Sequence, residues 1–211
     1  MQPSHTGIER YTYKERLCHW LAGFTYLYCM CTGLAFYTPY LFWMAIALGG
    51  GPTSRFWHPF AGVVFFIGVM WMHQLWGGGV AITDKDREWL DKVKEYATNQ
   101  DDLVPAQGRY NAGQKTFYWA MFYASFVLLV TGLVMWFPEY IPASIGWIRP
   151  LVVILHSAAA LVTIGAFIIH VYMGVFMVPG SVTAMCVGYV SKDWARTHHR
   201  LWYDQMTRGR E

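Results

Sequence analysis

Long stretches of this chain carry no charged side chain. Residues 17–54, 56–83, 116–138 and 150–191 contain no Asp, Glu, Lys or Arg. Each stretch can hold about 20 apolar residues, the length that a helix needs to cross the hydrocarbon core of a bilayer. Helices are expected because a backbone inside lipid has to pair its own polar groups. The pattern therefore predicts a helical membrane protein.

Glycine and proline mark the ends of the predicted membrane helices. Gly77–Gly79 follows the second helix, and Pro138 and Pro179 follow the third and fourth. Trp and Tyr side chains are frequent near these ends, as is typical of a membrane–water interface. The predicted fold is an all-α integral membrane protein, a bundle of four transmembrane helices in a single domain over 1–211. The helices are placed at residues 17–37, 57–76, 117–137 and 151–178.

Composition agrees with this interpretation. Of the 211 residues, 55% are hydrophobic and 14% are charged, whereas a soluble domain carries charge at about a quarter of its positions. Four spans and their connections leave no room for a separate soluble domain. The apolar run that starts at Leu17 is too long for the core of a cleavable signal peptide, so we interpret it as an uncleaved first span.

Basic residues are concentrated on one side of the predicted topology. With four spans, the N-terminal segment, the 77–116 loop and the C-terminal tail share a side. Of the 16 Lys and Arg residues, only Arg55 and Arg149 lie in the opposite loops. Cytoplasmic segments are enriched in Lys and Arg, so both termini and the 77–116 loop are predicted to be cytoplasmic. The net charge of +3 follows from this topology and gives no reason to expect nucleic-acid binding.

The four cysteines form no metal-binding motif. They show no CxxC or CxxCH spacing, which argues against an iron–sulfur cluster, a c-type haem or a structural zinc site in this chain. The sequence also has no HExxH motif of a zinc hydrolase. No catalytic residue is predicted.

Five of the eight histidines lie within predicted membrane helices, and four of them lie at two matching depths. His156 and His170 are 14 residues apart on the fourth helix, about 21 Å along the axis and about 40° apart around it. The topology places His58 level with His156 and His19 level with His170. A facing pair of imidazoles supplies the two axial ligands of a six-coordinate haem b. The pairs His58/His156 and His19/His170 therefore predict two haems b, on the outer and the cytoplasmic side.

Small residues follow the four histidines. The residue four positions on, one helical turn along the same face, is small in each case, which lets a porphyrin approach the backbone. These residues are Gly23, Gly62, Ala160 and Gly174. The alternative is that the histidines form hydrogen bonds between helices or a proton relay, because a lone intramembrane histidine commonly does so.

The remaining histidines have other interpretations. His73 is a rival ligand, since a glycine also follows it by four positions, but that glycine belongs to the run that ends the second helix. His5, His198 and His199 lie in polar ends of the chain and are expected to be solvated or interfacial.

Several segments resemble the cytochrome b (gamma) subunit of membrane-bound respiratory formate dehydrogenases. They are RYTYKERLCHW (10–20), RFWHPFAGVVFF (55–66), GRYNAGQK (108–115), LHSAAA (155–160) and HVYMGVFMVPGSVTAMCVGYVSKDWARTHH (170–199). The resemblance implies a four-helix quinone reductase with two haems b. It implies that His58 and His156 ligate the outer haem and that His19 and His170 ligate the cytoplasmic one.

The resemblance also implies a quinone site beside the cytoplasmic haem. Menaquinone or ubiquinone would bind around Asn111 and Gly113, with His170 close by. From the residues alone, the simpler interpretation of Asn111 is that it caps the third membrane helix.

The partners implied by the resemblance are an iron–sulfur (beta) subunit and a molybdenum or tungsten catalytic (alpha) subunit. They lie on the outer side of the bacterial cytoplasmic (inner) membrane, and the family suggests a trimer of such heterotrimers in anaerobic respiration. Formate oxidation occurs in the catalytic partner, and the electrons cross this chain to quinone on the cytoplasmic side. One alternative is the same dihaem module in a hydrogenase or thiosulfate reductase. A different class of alternative is a cofactor-free membrane anchor or proton-conducting subunit.

Overall fold

The chain is built almost entirely of helices. The structure is a computed structural model, which describes residues 7–98 and 100–208. In chain order its elements are β1 (Ile8–Glu9), α1 (Tyr13–Tyr37), α2 (Trp43–Ala47), α3 (Gly51–Trp76), α4 (Asp84–Asp91), α5 (Val93–Ala97), α6 (Ala112–Trp136), α7 (Ile148–Val171), α8 (Ser181–Val187), β2 (Tyr189–Val190), α9 (Lys192–His198) and α10 (Arg200–Arg208). A π-helical turn, Tyr172–Met177, continues α7.

The residue ranges of the four long helices include most of the four predicted membrane helices, and each long helix begins earlier in the sequence than predicted. The structure starts them at Tyr13, Gly51, Ala112 and Ile148. The first turns of these helices contain charged or turn-forming residues. They therefore lie outside the apolar stretches from which the helix starts were predicted. At α1, for example, Glu15 accepts from Thr12 N at 2.8 Å and Thr12 Oγ1 accepts from Glu15 N at 3.3 Å, a capping box that fixes the helix start.

Three helical segments of the described chain are long and apolar enough to cross a membrane. They are Gly51–Gly79, Ala112–Trp136 and Ile148–Met177. Helix α1 has a similar length, 25 residues, but Tyr, Thr, Trp and His side chains lower its mean hydropathy. The prediction of a helical membrane protein is confirmed for these three segments, and the crossing of α1 stays a prediction.

The described chain forms two compact units. The loop unit comprises the described residues of Met1–Leu17, Gln74–Trp119 and Ile168–Glu211. The bundle unit comprises Cys18–His73 and Ala120–Phe167. Within the described residues, every Lys and Arg except the two in the predicted outer loops lies in the loop unit. The single membrane domain over the whole chain stays a prediction.

Aromatic and small residues hold the bundle unit together. The Tyr26 ring lies 5.5 Å from the Phe65 ring and 5.2 Å from the Phe167 ring, centroid to centroid. A Cβ added at Gly68 would lie 3.1 Å from the Cβ of Ala22, so α1 and α3 approach closely there. Close backbone approach over small residues is the usual way in which membrane helices pack.

The two ends of the chain meet in a short antiparallel sheet in the loop unit. Ile8 pairs with Val190, and the N–H groups of Arg10 and Tyr11 both donate to the Gly188 carbonyl, at 2.8 and 3.1 Å. Gly188 has a φ of +96°, and a Cβ there would lie 2.8 Å from the Tyr11 oxygen, so the position requires glycine. This small sheet was not predicted, because strands of two residues leave no alternating pattern in the sequence; the all-α class itself is confirmed by the helices.

A buried ion pair connects the first turn of α4 to the first turn of α6. Lys115 Nζ donates to Asp86 Oδ2 at 2.8 Å and to the Ala81 carbonyl at 3.1 Å. The same carboxylate oxygen accepts from Thr83 N and Oγ1, both at 2.7 Å, which caps α4. Asp86 is 1% exposed. Its burial raises its pKa, but the donors of Lys115 and Thr83 outweigh this effect and hold the pKa below its ordinary value.

We expect Asp86→Ala to destabilise the protein by about 3 kcal/mol, because breaking a buried pair leaves an uncompensated charge. Thermal unfolding in detergent, followed by circular dichroism, measures the change. Asp84→Ala is the matched control: its pair with Arg87 is exposed, with 94% exposure of the Asp84 side chain, so its effect should stay below about 1 kcal/mol. Equal unfolding temperatures for the two variants would contradict this role of Asp86.

Candidate haem-binding and quinone-binding residues

The predicted outer pair, His58 and His156, comes together in the bundle unit. His58 lies on α3 and His156 on α7, and their ring centroids are 6.4 Å apart. A metal–imidazole bond is about 2 Å long, so a metal held in line between two imidazoles separates the ring centres by about 6 Å. The spacing of the two rings therefore fits a single iron between them.

A threonine on α1 determines which nitrogen of His58 carries the ring hydrogen. Thr32 Oγ1 lies 2.7 Å from His58 Nδ1 and donates its own hydrogen to the Tyr28 carbonyl at 2.7 Å. A hydroxyl has one hydrogen, so Thr32 accepts the hydrogen of Nδ1. The unshared electron pair of the ring is then on Nε2, the nitrogen that is left for a metal.

The same arrangement occurs between α6 and α7. Thr131 Oγ1 lies 2.8 Å from His156 Nδ1 and donates its hydrogen to the Val127 carbonyl. His156 therefore also carries its hydrogen on Nδ1 and keeps Nε2 for a ligand. Both rings of the pair then have Nε2 as the nitrogen without a hydrogen, and a neutral imidazole can bind a metal through such a nitrogen.

Glycines leave room beside the two rings. A Cβ added at Gly33 would touch Cε1 of His58 at 3.5 Å, and one at Gly132 would touch Cε1 of His156 at 3.5 Å. A Cβ at Gly62, one turn after His58, would meet nothing within 4 Å. A flat group can approach the α3 backbone there. The ring spacing and the open space together fit a haem b.

The predicted cytoplasmic pair is divided between the two units. His19 lies on α1 in the bundle unit, and His170 lies near the end of α7 in the loop unit. Gly23 and Gly174, four positions on, also leave 4 Å of open space where a Cβ would be. The pairing of His19 with His170 stays a prediction. His73, the rival ligand, lies in the bundle unit with its ring 4.7 Å from an aromatic ring of α6.

His199 is buried, so the expectation that it is solvated was wrong. It is 1% exposed. Its Nδ1 lies 2.7 Å from the Gly108 carbonyl and therefore donates, and its Nε2 accepts from Arg10 Nη2 at 3.2 Å. Burial and the Arg10 charge hold the pKa of His199 well below its ordinary value. His199 is thus a neutral side chain that connects the C-terminal tail to the Gly108 carbonyl by a hydrogen bond. His5 lies outside the described residues.

The segment predicted to bind quinone caps α6. Asn111 Oδ1 accepts from Gln114 N at 2.9 Å, and Gln114 Oε1 accepts from Asn111 N at 3.0 Å. This reciprocal pair is a capping box, so the N-cap interpretation of Asn111 is confirmed. Asn111 Nδ2 also donates to the Tyr96 hydroxyl at 3.3 Å. A Cβ added at Gly113 would lie 3.3 Å from the Trp89 ring, so Gly113 permits close packing there.

His170 lies against the first turns of α6. Its ring stacks on Phe117 with centroids 4.4 Å apart and planes 8° apart. Phe117 follows Asn111 by six positions, about 9 Å along the helix axis. The loop unit therefore brings His170 to the same end of α6 as Asn111 and Gly113. Quinone binding at these residues stays a prediction.

Known proteins similar to this chain are cytochrome b556 subunits of bacterial formate dehydrogenases. The cytochrome b556(Fdn) subunit of the nitrate-inducible formate dehydrogenase of Escherichia coli (strain K12) is 34% identical over 202 residues, 94% of this chain and 91% of that protein. The cytochrome b556(fdo) subunit of a formate dehydrogenase of the same strain is 35% identical over 211 residues, 97% of this chain and 95% of that protein. The formate dehydrogenase cytochrome b556 subunit of Haemophilus influenzae (strain ATCC 51907 / DSM 11121 / KW20 / Rd) is 33% identical over 201 residues, 94% of this chain and 83% of that protein.

A family model described as prokaryotic cytochrome b561 matches residues 10–188. The chain belongs to the prokaryotic cytochrome b561 family. The predicted resemblance to formate dehydrogenase cytochrome b subunits is confirmed by the three relatives. Membership implies haem b, in agreement with the tautomers and spacing of His58 and His156.

Sequence reasoning missed the two threonines that bond to His58 and His156 in this cytochrome b561 family member. Their signal is a repeat: the tripeptide Thr-Gly-Leu occurs at 32–34 and again at 131–133. Thr32 precedes its histidine by 26 positions and Thr131 by 25. A comparison of the two halves of the chain would have identified both.

We expect Asn111→Ala to lower the stability of this cytochrome by about 1 kcal/mol, the usual cost of losing an N-cap. Asn111→Asp should keep most of that stability, because an aspartate oxygen caps equally well and its charge suits a helix N-terminus. Thermal unfolding of both variants in detergent measures the difference. The capping role would be refuted by an alanine variant as stable as the unmodified protein.

Proposed function

We propose that the chain is the cytochrome b subunit of a formate dehydrogenase, which transfers electrons from an outer iron–sulfur subunit through two haems b to quinone on the cytoplasmic side. The observation that carries this proposal is the facing pair of His58 and His156, each with Nε2 left for a metal. The relatives support it, since each is named as the cytochrome b556 subunit of a formate dehydrogenase. Haem held by two histidines supplies one-electron transfer, because no iron position remains open for oxygen chemistry.

In this role the chain's own residues hold and orient the cofactors. His58 and His156 are the proposed ligands on the outer side, and His19 and His170 those on the cytoplasmic side. The hydroxyls of Thr32 and Thr131 keep two of the four rings in one tautomer.

The threonine contacts also favour ligation over a proton relay. A relay needs a group beside each imidazole that can accept a proton and pass it on. The hydrogens of Thr32 and Thr131 point to carbonyls of their own helices, and a backbone carbonyl has no proton to pass on. The chain of hydrogen bonds therefore ends at each threonine. This supports a cytochrome against a proton-conducting subunit.

Quinone binding is proposed at the capped start of α6. A quinone carbonyl needs a hydrogen-bond donor, and the side-chain amide of Asn111 has two hydrogens, one of which is directed to Tyr96 at 3.3 Å. Gly113 adds no side chain at this point, and the stacked rings of His170 and Phe117 lie on the same end of the helix. We propose that menaquinone or ubiquinone is reduced here.

The proposed location is the bacterial inner membrane, with the loop unit on the cytoplasmic side. The distribution of Lys and Arg supports this orientation, since the described basic residues other than Arg55 and Arg149 all lie in the loop unit. The proposed partners are an iron–sulfur subunit and a molybdenum or tungsten catalytic subunit on the outer side. A trimer of such heterotrimers is the proposed assembly.

The purified chain should show a b-type haem band after reduction with dithionite, with two haems per chain. We expect His58→Ala and His156→Ala to lose the same haem, and His19→Ala and His170→Ala to lose the other. His73→Ala should keep both and is the control, because His73 is not a proposed ligand. No b-type band in the unmodified protein would overturn the function, and loss of the same haem from His58→Ala and His170→Ala would overturn the pairing.

The complex purified from its native membrane should contain a formate-oxidising subunit, and formate should reduce the haems and then an added quinone. Absorbance at the reduced haem band measures this directly. If hydrogen reduces the haems and formate does not, the chain serves a hydrogenase; if neither does, the large subunit that copurifies decides between the remaining complexes.

A further inference from the structure

We infer that Thr32 and Thr131 are positioning residues that set the reduction potential of the outer haem, and that they act as the two copies of one internal repeat. The inference rests on the proposed function, because it concerns the haem that His58 and His156 hold. Neither residue would touch the iron. Each acts through the histidine to which it is bonded.

The two halves of the chain place equivalent groups around equivalent rings. In each half a threonine of one long helix accepts a hydrogen bond from Nδ1 of a histidine on the next long helix, at 2.7 Å for His58 and 2.8 Å for His156. In each half the threonine is followed by a glycine whose added Cβ would lie 3.5 Å from Cε1 of the same ring. Both hydroxyls are buried, with Thr32 0% and Thr131 6% exposed. The same histidine donor, threonine acceptor and following glycine occur in both halves, which indicates one repeated arrangement.

The threonine hydroxyls are strong acceptors in these positions. Each donates its hydrogen to a carbonyl of its own helix, and a donated hydrogen bond strengthens the oxygen as an acceptor. An imidazole that donates Nδ1–H to a strong acceptor is a more basic ligand through Nε2. A more basic axial ligand stabilises oxidised iron relative to reduced iron. The two threonines should therefore lower the potential of the haem between His58 and His156.

Thr25 on α1 separates this role from ordinary helix structure. Its hydroxyl donates to the Leu21 carbonyl at 2.8 Å, the bond that threonines commonly form in membrane helices. It thus repeats the helical bond of Thr32. Thr25→Val removes that bond from the same helix without altering a ligand contact, and is the matched control.

The test uses the full chain in detergent and compares Thr32→Val, Thr32→Ser, Thr131→Val and Thr25→Val. The potential of each haem is measured by spectroelectrochemistry, and the oxidised iron by electron paramagnetic resonance. We expect both valine variants of the pair to shift the same haem to a more positive potential and to change its resonance. If the ratio of the ligand's affinities for oxidised and reduced iron falls tenfold, the potential rises by about 59 mV. Thr32→Ser restores the acceptor and should return the unmodified value.

The outcomes separate this inference from the proposed function. An unmodified chain without b-type haem overturns the function. An unmodified chain with two haems, and Thr32→Val and Thr131→Val with unchanged potentials and spectra, overturns the inference alone. Loss of one haem from Thr32→Val, with both kept in Thr32→Ser and Thr25→Val, supports it. Equal changes in Thr25→Val and Thr32→Val overturn it, because they indicate a general effect on α1.

Discussion

Polar groups in the interior of a bilayer have to be paired within the protein, because lipid tails offer no hydrogen bonds. His58 and His156 satisfy this constraint through the hydroxyls of Thr32 and Thr131. The pairing uses one nitrogen of each ring and leaves the other nitrogen without a hydrogen. A requirement of membrane folding thereby also orients the two rings that we propose as haem ligands.

The same requirement explains why most of the charged residues lie in the loop unit, and why the charged residues of the bundle unit, Arg55, Glu139 and Arg149, lie outside the predicted spans or at their ends. Glu15 accepts from Arg109 Nη2 at 2.7 Å and from Trp76 Nε1 at 2.8 Å, and Asp86 pairs with Lys115. These contacts join the start of α1, the 77–116 loop and the start of α6. The starts of α1 and α6 are thus fixed by charge and capping, while aromatic and small residues pack in the bundle unit. The two kinds of packing occupy different parts of the chain.

Much of this architecture could be predicted, and the exceptions share a cause. The long helices were predicted because charged residues are excluded from lipid, and each helix therefore appears in the sequence as one continuous stretch without charge. The facing of His58 and His156 was found because helical periodicity converts spacing into depth. The burial of His199 and the requirement for Gly188 were missed, because each depends on a backbone group far along the chain: the Gly108 carbonyl in one case and the N-terminal strand in the other.

By itself, the sequence determined that this protein has helices able to span a membrane, that His58 and His156 can meet, and to which family of cytochromes it belongs. Hydropathy and helical spacing are local properties, and a family likeness is read residue by residue. Only the tertiary structure decided the tautomers of His58 and His156 and showed that Asn111 caps α6. A tautomer depends on which atom lies within hydrogen-bond distance of a ring, and for His58 that atom belongs to a residue 26 positions away on another helix.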